Sequence, residues 1–340
     1  MERPPQAWNA GLVTLSTACP DWWEMIRAGR VPIARDLVTN AAEAARAAAI
    51  FDRLRLPDVP GRPTFAEAAG PWYREGVVRP IFGSLDPVTG KRRIHTVFLM
   101  VPKKNAKTTL TAGCSITALL MNTRPNASFA QFGPTQKIAE QGFDAACGIV
   151  EADETLKKLL RVIEHKKKIV HRGNGSELQV MTFDPQIATG GLFAGTFLDE
   201  FHLLGEVAKA ARVIGQIKGA RTAVPEAFLI CTTTQSDTPP AGVFKSELEY
   251  ARRVRDGEIE DAGYLSILYE LPVELQEERK DRSRPWADTA LWSLVNPNTG
   301  RSVSIDTLIE DHRKAVADGD HELRRFASQH LNIQIGVSLS

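Results

Sequence analysis

Cysteine is scarce: four residues, at 19, 114, 147 and 231, are all that the 340 positions contain, and no two form a C-x-x-C pair. No H-E-x-x-H string occurs either. These absences exclude a disulfide framework and a zinc site of familiar spacing, and free thiols in a reducing compartment are expected. An excess of one charge is also missing, since Lys plus Arg is 42, Asp plus Glu is 41 and the net charge is +1. A histone-like protein is therefore excluded, and any contact with nucleic acid must come from local patches. No apolar run approaches the roughly 18 residues of a membrane span. The longest strongly apolar run, Val97 to Val101, has the length of a strand. The opening stretch, Met1 to Ala10, is polar and Pro-interrupted, unlike a secretory signal. No repeat with a period of about 20–50 residues is visible.

What is present suits a globular α/β chain. Apolar residues make up 43% and charged residues 24%, enough to build a sizeable core. The length predicts two domains or one large one. Residues 37–55 are Ala-rich and predict a helix, with Asn40 as a possible cap. Three prolines and a glycine in 56–63 read as a linker. The expected division is a helical N-terminal segment and linker over 1–63, a central α/β core over 64–240, and a C-terminal lid or linker over 241–340.

Strand and helix patterns alternate from residue 64 onward. Thr96–Val101, Ser128–Phe132, Thr196–Leu198 and Ala227–Cys231 read as buried strands. Thr108–Met121, Thr135–Val150 and Val207–Lys218 read as helices between them. Gly173-Asn174-Gly175, flanked by Ile169–His171 and Leu178–Thr182, signals a hairpin. Beyond Pro240 the pattern is helical and charged, with a strand near Tyr264–Tyr269. The alternation predicts a mainly parallel sheet with helices on both faces.

The chemistry concentrates at two strand ends. No G-x-x-x-x-G-K-[ST] string occurs, because Val101 and Ala106 replace both glycines. Even so, a buried strand, a short polar loop (Pro102, Lys103, Lys104, Asn105, Ala106) and a helix opening with Lys107, Thr108 and Thr109 would aim backbone N–H groups at an anion. In that reading Lys107 bridges the outer phosphates and Thr108 ligates Mg²⁺. The segment alone equally allows an ordinary βα turn with solvated lysines. The second strand end, GTFLDEFH at 195–202, places Asp199 to hold Mg²⁺ through water and Glu200 to orient an attacking water. Adjacent carboxylates there are costly unless a metal or solvent compensates them. A third strand runs into Thr232, Thr233 and Thr234, which could sense a γ-phosphate or simply end a strand.

PKKNAKT at 102–108 resembles the P-R-K-N-G-K-S phosphate loop of tailed-bacteriophage terminase large subunits. Phe82-Gly83 and Thr89-Gly90-Lys91-Arg92 resemble the segment before that loop, and Gln136 through Phe143 resembles the family's Q-A-x-x-x-F helix. LDEFH at 198–202 is similar to its Walker B string, and Thr233-Thr234 falls at its coupling motif. Trp292, Asn296-Pro297, Phe326 and Leu331-Asn332 resemble the end of its ATPase domain, so the likeness covers roughly 65–335.

The resemblance implies a RecA-like P-loop NTPase fold and a DNA-packaging motor that uses ATP and Mg²⁺. It further implies a homo-oligomeric ring, commonly a pentamer, working with double-stranded DNA, a terminase small subunit and the capsid portal. The setting would be the host cytoplasm and the procapsid, with no membrane and no place in the mature virion. The family's C-terminal nuclease, which needs roughly 150 residues or more, is expected only in a longer protein.

There are departures from the family pattern. Lys103 stands where Arg is usual, Tyr73 where an adenine-recognising Gln is common, and TGG at 189–191 lacks the Arg often found before Walker B. Arg212 and Arg221 are the candidate trans-acting arginine fingers. The isolated chain is accordingly expected to turn ATP over slowly.

The stretch 157–172 is the most basic, and Lys166, Lys167 and Lys168 could grip DNA phosphates without reading sequence, or lie on a solvated surface. Arg252, Arg253 and Arg255 carry the same ambiguity. Trp22, Trp23 and Trp72 suit core or adenine-pocket packing, and His165, His171 and His202 show no metal-ligand spacing. Two other readings stay open: a superfamily 2 helicase, and a nucleotide-binding assembly protein without turnover.

Overall fold

The computed structural model describes residues 15–184, 191–281 and 283–336. The start of the N-terminal segment and Thr189-Gly190 of the TGG string lie outside the described residues.

Among the described residues eight strands form one sheet: β1 Thr96–Met100, β2 Ser128–Gly133, β3 Leu160–Ile163, β4 Lys168–His171, β5 Glu177–Thr182, β6 Gly195–Leu198, β7 Phe228–Thr233 and β8 Tyr264–Leu268. Their order across the sheet is β3-β4-β5-β2-β6-β7-β1-β8. Six of them, from β5 to β8, run parallel, while β3 and β4 add an antiparallel edge. The Gly173–Gly175 hairpin joins β4 to β5, with Gly175 in the left-handed region at φ 71°. β7 lies between β1 and β6, the RecA-like arrangement, in register Met100↔Thr233 and Leu198↔Cys231.

β1 is buried from end to end. Val97 and Leu99 pack on one face of the sheet, with the helices Ala41–Arg53, Lys107–Met121 and Gln136–Glu151. Phe98 and Met100 pack on the other, with the helices Ala210–Gly219 and Gly242–Arg255. A strand covered on both faces needs this continuous apolar run, which is why the parallel core was visible in the sequence.

Asn40 caps its helix by accepting from Glu43 N at 3.0 Å. Val207–Lys218 shifts: Phe201–Glu206 is a 3-10 turn and the α-helix begins only at Ala210. The left-handed Lys209 at φ 68° separates the two, although the apolar spacing runs through it. β3 lies unannounced inside the basic stretch.

The segment before residue 64 shares the core of the sheet. Phe51 stacks on Tyr73 at 5.8 Å and meets Phe65 edge-on at 5.0 Å. Gly113 of the helix Lys107–Met121 admits Phe65, whose Cε2 would lie 2.4 Å from a Cβ at that position. Around 56–63 the chain turns back on itself, Leu56 N donating to Pro63 O at 2.9 Å. The C-terminal helices Ile305–Asp318 and Asp320–Leu331 close over a separate apolar cluster around Trp286, Trp292, Leu323 and Phe326.

Candidate nucleotide site

β1, β6 and β7 end side by side, and their next residues converge. Val101 extends the ladder, donating to Thr233 O at 3.1 Å, so the position of the missing first glycine is strand here. The loop then needs left-handed backbone at Lys104 (φ 71°) and Ala106 (φ 58°), neither of them glycine. Each such residue costs about 1–2 kcal/mol, so the surroundings must hold the loop. Lys107 starts the helix with its side chain 5% exposed; its Nζ donates to Val101 O at 3.3 Å and stands 3.9 Å from Glu200 Oε1.

Asp199 is the hub. Its Oδ2 accepts from Thr108 Oγ1 at 2.8 Å, and its Oδ1 from Thr232 Oγ1 at 2.8 Å and Glu200 N at 2.9 Å. Burial and the Glu200 carboxylate raise its carboxyl above the ordinary range, while Lys107 and the two hydroxyl donors pull it down. Glu200 is left-handed at φ 49°, which turns the chain sharply into the 3-10 turn. Its Oε2 is buried without a hydrogen bond and lies 3.3 Å from His202 Nδ1. Burial, then Lys107 and Lys103, push His202 down to about 4, so the ring is neutral and this contact is not an ion pair. His202 N and Thr233 Oγ1 are joined at 3.0 Å. Thr234 Oγ1 and Gln235 Nε2 are buried without partners among the described residues. Burial also lowers Lys103.

Lys107, Thr108, Asp199, Glu200 and Thr232–Thr234, named from the sequence, thus meet in one place. Tyr73 is hydrogen-bonded to none of them among the described residues. That side chain is fully buried and its hydroxyl lies 3.2 Å from Thr111 Oγ1. Arg212 is exposed in the first turn of Ala210–Gly219, the helix that follows the Asp199-Glu200 turn. Arg221 lies at the other end of the sheet, lining a cavity of about 240 Å³ with His95, Thr96, Phe228 and Tyr264, where β1, β7 and β8 begin.

Lys166–Lys168 sit at the antiparallel edge. Lys166 is exposed, Lys167 Nζ lies 4.8 Å from the Phe143 ring centre, and Lys168 Nζ pairs with Glu177 at 2.7 Å. Arg252 and Arg255 are not a surface patch, because both are committed to buried Glu270. The sequence reading named Asn105 only as a loop residue and missed what lies beneath it: buried Asn105, Asn296 and Asn298 form a hydrogen-bonded set spanning some 190 positions. Asn296 was noted only as part of a resemblance. A cleft of about 580 Å³ opens beside Asn296 and Pro297, lined also by Trp72 and Tyr269.

The family model for the terminase large subunit ATPase domain matches residues 72–253, more than half of the chain. The chain belongs to this family. Among solved structures it is similar to the large terminase of bacteriophage HK97, at 19% identity and a TM-score of 0.67, covering 86% of this chain and 55% of that one. This chain therefore spans little more than half the length of that terminase. Also similar are the large terminase of a thermophilic bacteriophage in complex with ADP (18% identity, TM-score 0.39, 56% of this chain and 44% of that one) and the large terminase ATPase domain of Thermus phage P74-26 (14%, 0.33, 43% and 62%). No curated protein matches. The HK97 likeness bears out the α/β fold with its mainly parallel sheet.

Proposed function

We propose that this terminase domain hydrolyses ATP to drive double-stranded DNA into a procapsid. The observation that carries this reading is the convergence of Lys107, Thr108, Asp199 and Glu200 at the ends of adjacent parallel strands. The loop Pro102–Ala106 with Lys107, Thr108 and Thr109 would cradle the phosphates, as backbone N–H groups at a helix N-terminus do. The donor set fits Mg²⁺: the Thr108 hydroxyl and an Asp199 oxygen are hard ligands already 2.8 Å apart. When bound there, the ion would neutralise charge on the phosphate oxygens.

Within this reading, Lys107 leaves Val101 O for the phosphates. Glu200 holds the attacking water and accepts its proton, and neutral His202 leaves that carboxylate free to do so. Thr232, bonded to Asp199, and Thr233, bonded to the His202 backbone, carry the state of the site into the following segment. The buried, unpartnered Thr234 Oγ1 and Gln235 Nε2 suit ligand or water contacts. The cleft beside Asn296, with Trp72 and Tyr269, offers the base an apolar seat.

Among the described residues neither Arg212 nor Arg221 is bonded to Asp199 or Glu200, so a finger from a neighbour in a homo-oligomeric ring is part of the reading. Arg212 is on the nucleotide side of the sheet, and Arg221 could act only across a subunit boundary. Lys166–Lys168 would contribute a sequence-indifferent grip on DNA. The partners would be a terminase small subunit and the capsid portal in the host cytoplasm. The proposed division is an N-terminal segment to residue 63, an ATPase core over 64–240 and a lid over 241–340, with cutting assigned to a nuclease in a longer protein.

Lys107→Ala tests the reading. Turnover should fall about 100-fold or more and ATP binding should weaken. Turnover at the wild-type rate would remove the phosphate-loop assignment. A wild-type chain that binds ATP without cleaving it would instead favour an assembly role.

A further inference from the structure

The strained loop Pro102–Ala106 is held from below by a segment almost 200 residues further along the chain. Asn105 is fully buried. Its Nδ2 donates to Pro102 O at 3.0 Å and to Asn296 Oδ1 at 2.8 Å, and its Oδ1 accepts from Asn298 N at 3.0 Å. Asn296 Nδ2 donates in turn to Trp292 O at 2.9 Å and His330 O at 3.0 Å. Asn298 Nδ2 donates to Ser302 Oγ at 2.6 Å, and that hydroxyl donates to Lys104 O. Lys103 N donates to Gln329 O at 2.8 Å. Three consecutive loop residues, 103 to 105, are therefore bonded to the C-terminal segment.

A second attachment lies at the end of β7. Asn332, left-handed at φ 54°, accepts from Gln235 N at 2.9 Å through Oδ1 and donates to Tyr269 O at 2.8 Å through Nδ2. Gln235 directly follows Thr232–Thr234. The helix Asp320–Leu331 thus touches the phosphate loop through Gln329 and is followed at once by the residue that holds the coupling strand.

We infer that Asn296, Asn298 and Asn332 are positioning residues that clamp the phosphate loop and the coupling strand to the C-terminal helices, so that loop conformation and helix docking change together. The physical reason is the loop's own chemistry. Without glycine at Lys104 and Ala106, the anion-binding conformation is not the loop's resting preference. It persists because buried amides over-determine it, and removing one leaves its partner buried and unpaired. Linkage then runs both ways: whatever favours the phosphate-binding shape also favours docking of 292–332, and the reverse. This inference rests on the reading of the loop as a nucleotide site.

The test measures ADP affinity, ATP KM and kcat, and backbone hydrogen exchange on the whole chain. Asn296→Ala should raise the ADP Kd and the ATP KM about tenfold, the cost of one unpaired buried amide. Ser302→Ala, at an exposed position that folding tolerates, should move both in the same direction by a smaller factor. Trp292→Phe removes the indole bond to Trp286 O, 2.9 Å long, and perturbs the same C-terminal cluster without touching the loop. It should lower Tm and raise Kd by a smaller factor than Asn296→Ala does. In the wild-type chain, ADP should slow exchange over 296–302 and 329–332 as well as over 101–108. Protection confined to 101–108, or equal Kd shifts in Trp292→Phe and Asn296→Ala, would overturn the clamp. A wild-type chain that binds no ADP would contradict the nucleotide reading itself, an outcome distinct from failure of the clamp.

Discussion

Glu270 and Glu200 both lie two residues beyond the end of a parallel strand, β8 and β6, and both face cations, yet their surroundings differ. Glu270 is 2% exposed and saturated. Its Oε1 accepts from Arg252 Nε at 3.1 Å and Arg255 Nη1 at 2.7 Å, and its Oε2 from Arg252 Nη2 at 2.6 Å. The remaining donors are used as well: Arg252 Nη1 reaches Gln334, and Arg255 reaches Asp256 and lies 4.1 Å over the Trp22 ring. Glu200 has Lys107 only at 3.9 Å and one oxygen without a hydrogen bond. A buried charge cluster whose valences are all filled holds structure together. One that leaves an oxygen, a hydroxyl and an amide unpaired is arranged for something that arrives.

The largest effect on stability should come from breaking the saturated cluster. Glu270→Ala strands two guanidinium groups and should cost about 3–5 kcal/mol, read as a fall in the denaturant midpoint. The same cluster sets an acid limit. Burial alone would raise the Glu270 carboxyl, but Arg252 and Arg255 more than reverse this and hold it below its ordinary 4.5. A depressed carboxylate stabilises fully above its unfolded value and loses that contribution as pH falls through the folded one. Acid titration should therefore destabilise the wild-type chain below about pH 4.5, with a smaller loss in Glu270→Gln.

Asp199→Asn should act with the opposite sign. Because the Asp199 carboxyl is raised in the folded chain, its ionisation destabilises the nucleotide-free protein as pH climbs above 3.8. The amide can still accept from Thr232 and Glu200 N. The nucleotide-free variant should melt at or above the wild-type temperature at pH 7, while Mg²⁺-dependent ATP binding is lost. A clear fall in Tm would place Asp199 with the structural cluster instead.

How much of this the sequence foretold depends on the distance between partners. Strand burial, the Asn40 cap, the Gly173–Gly175 hairpin and the Lys107-Thr108 and Asp199-Glu200 pairs are written in adjacent residues. Asn105 with Asn296, Arg255 with Glu270, and Asn332 with Gln235 are not, because no local period marks a polar residue that will be buried against a remote one. The arginines at 252 and 255 looked like a solvent patch for that reason. The candidate finger Arg221 looked close to the site because it lies between Walker B and the coupling strand in sequence. The helix Ala210–Gly219 between β6 and β7 carries it to the opposite end of the sheet.

The smallest effect is expected at the β3–β4 edge. Lys167 and Lys168 are already engaged with Phe143 and Glu177, which leaves Lys166 as the exposed cation of the three. Lys166→Ala should weaken duplex DNA binding uniformly across sequences and reduce the salt dependence, d log K/d log[salt], by about 1. An unchanged slope would move the DNA contact elsewhere.

The central claim is that the unsaturated cluster is where ATP is cleaved, and Glu200→Gln tests it most directly. The measurement is a single-turnover assay in which the chain is mixed with excess Mg²⁺ over radiolabelled ATP and the bound nucleotide is then identified. The account predicts wild-type ATP affinity, cleavage slowed about 10²–10⁴-fold and intact ATP on the protein. Cleavage at the wild-type rate, or loss of binding equal to that in Asp199→Asn, would contradict it.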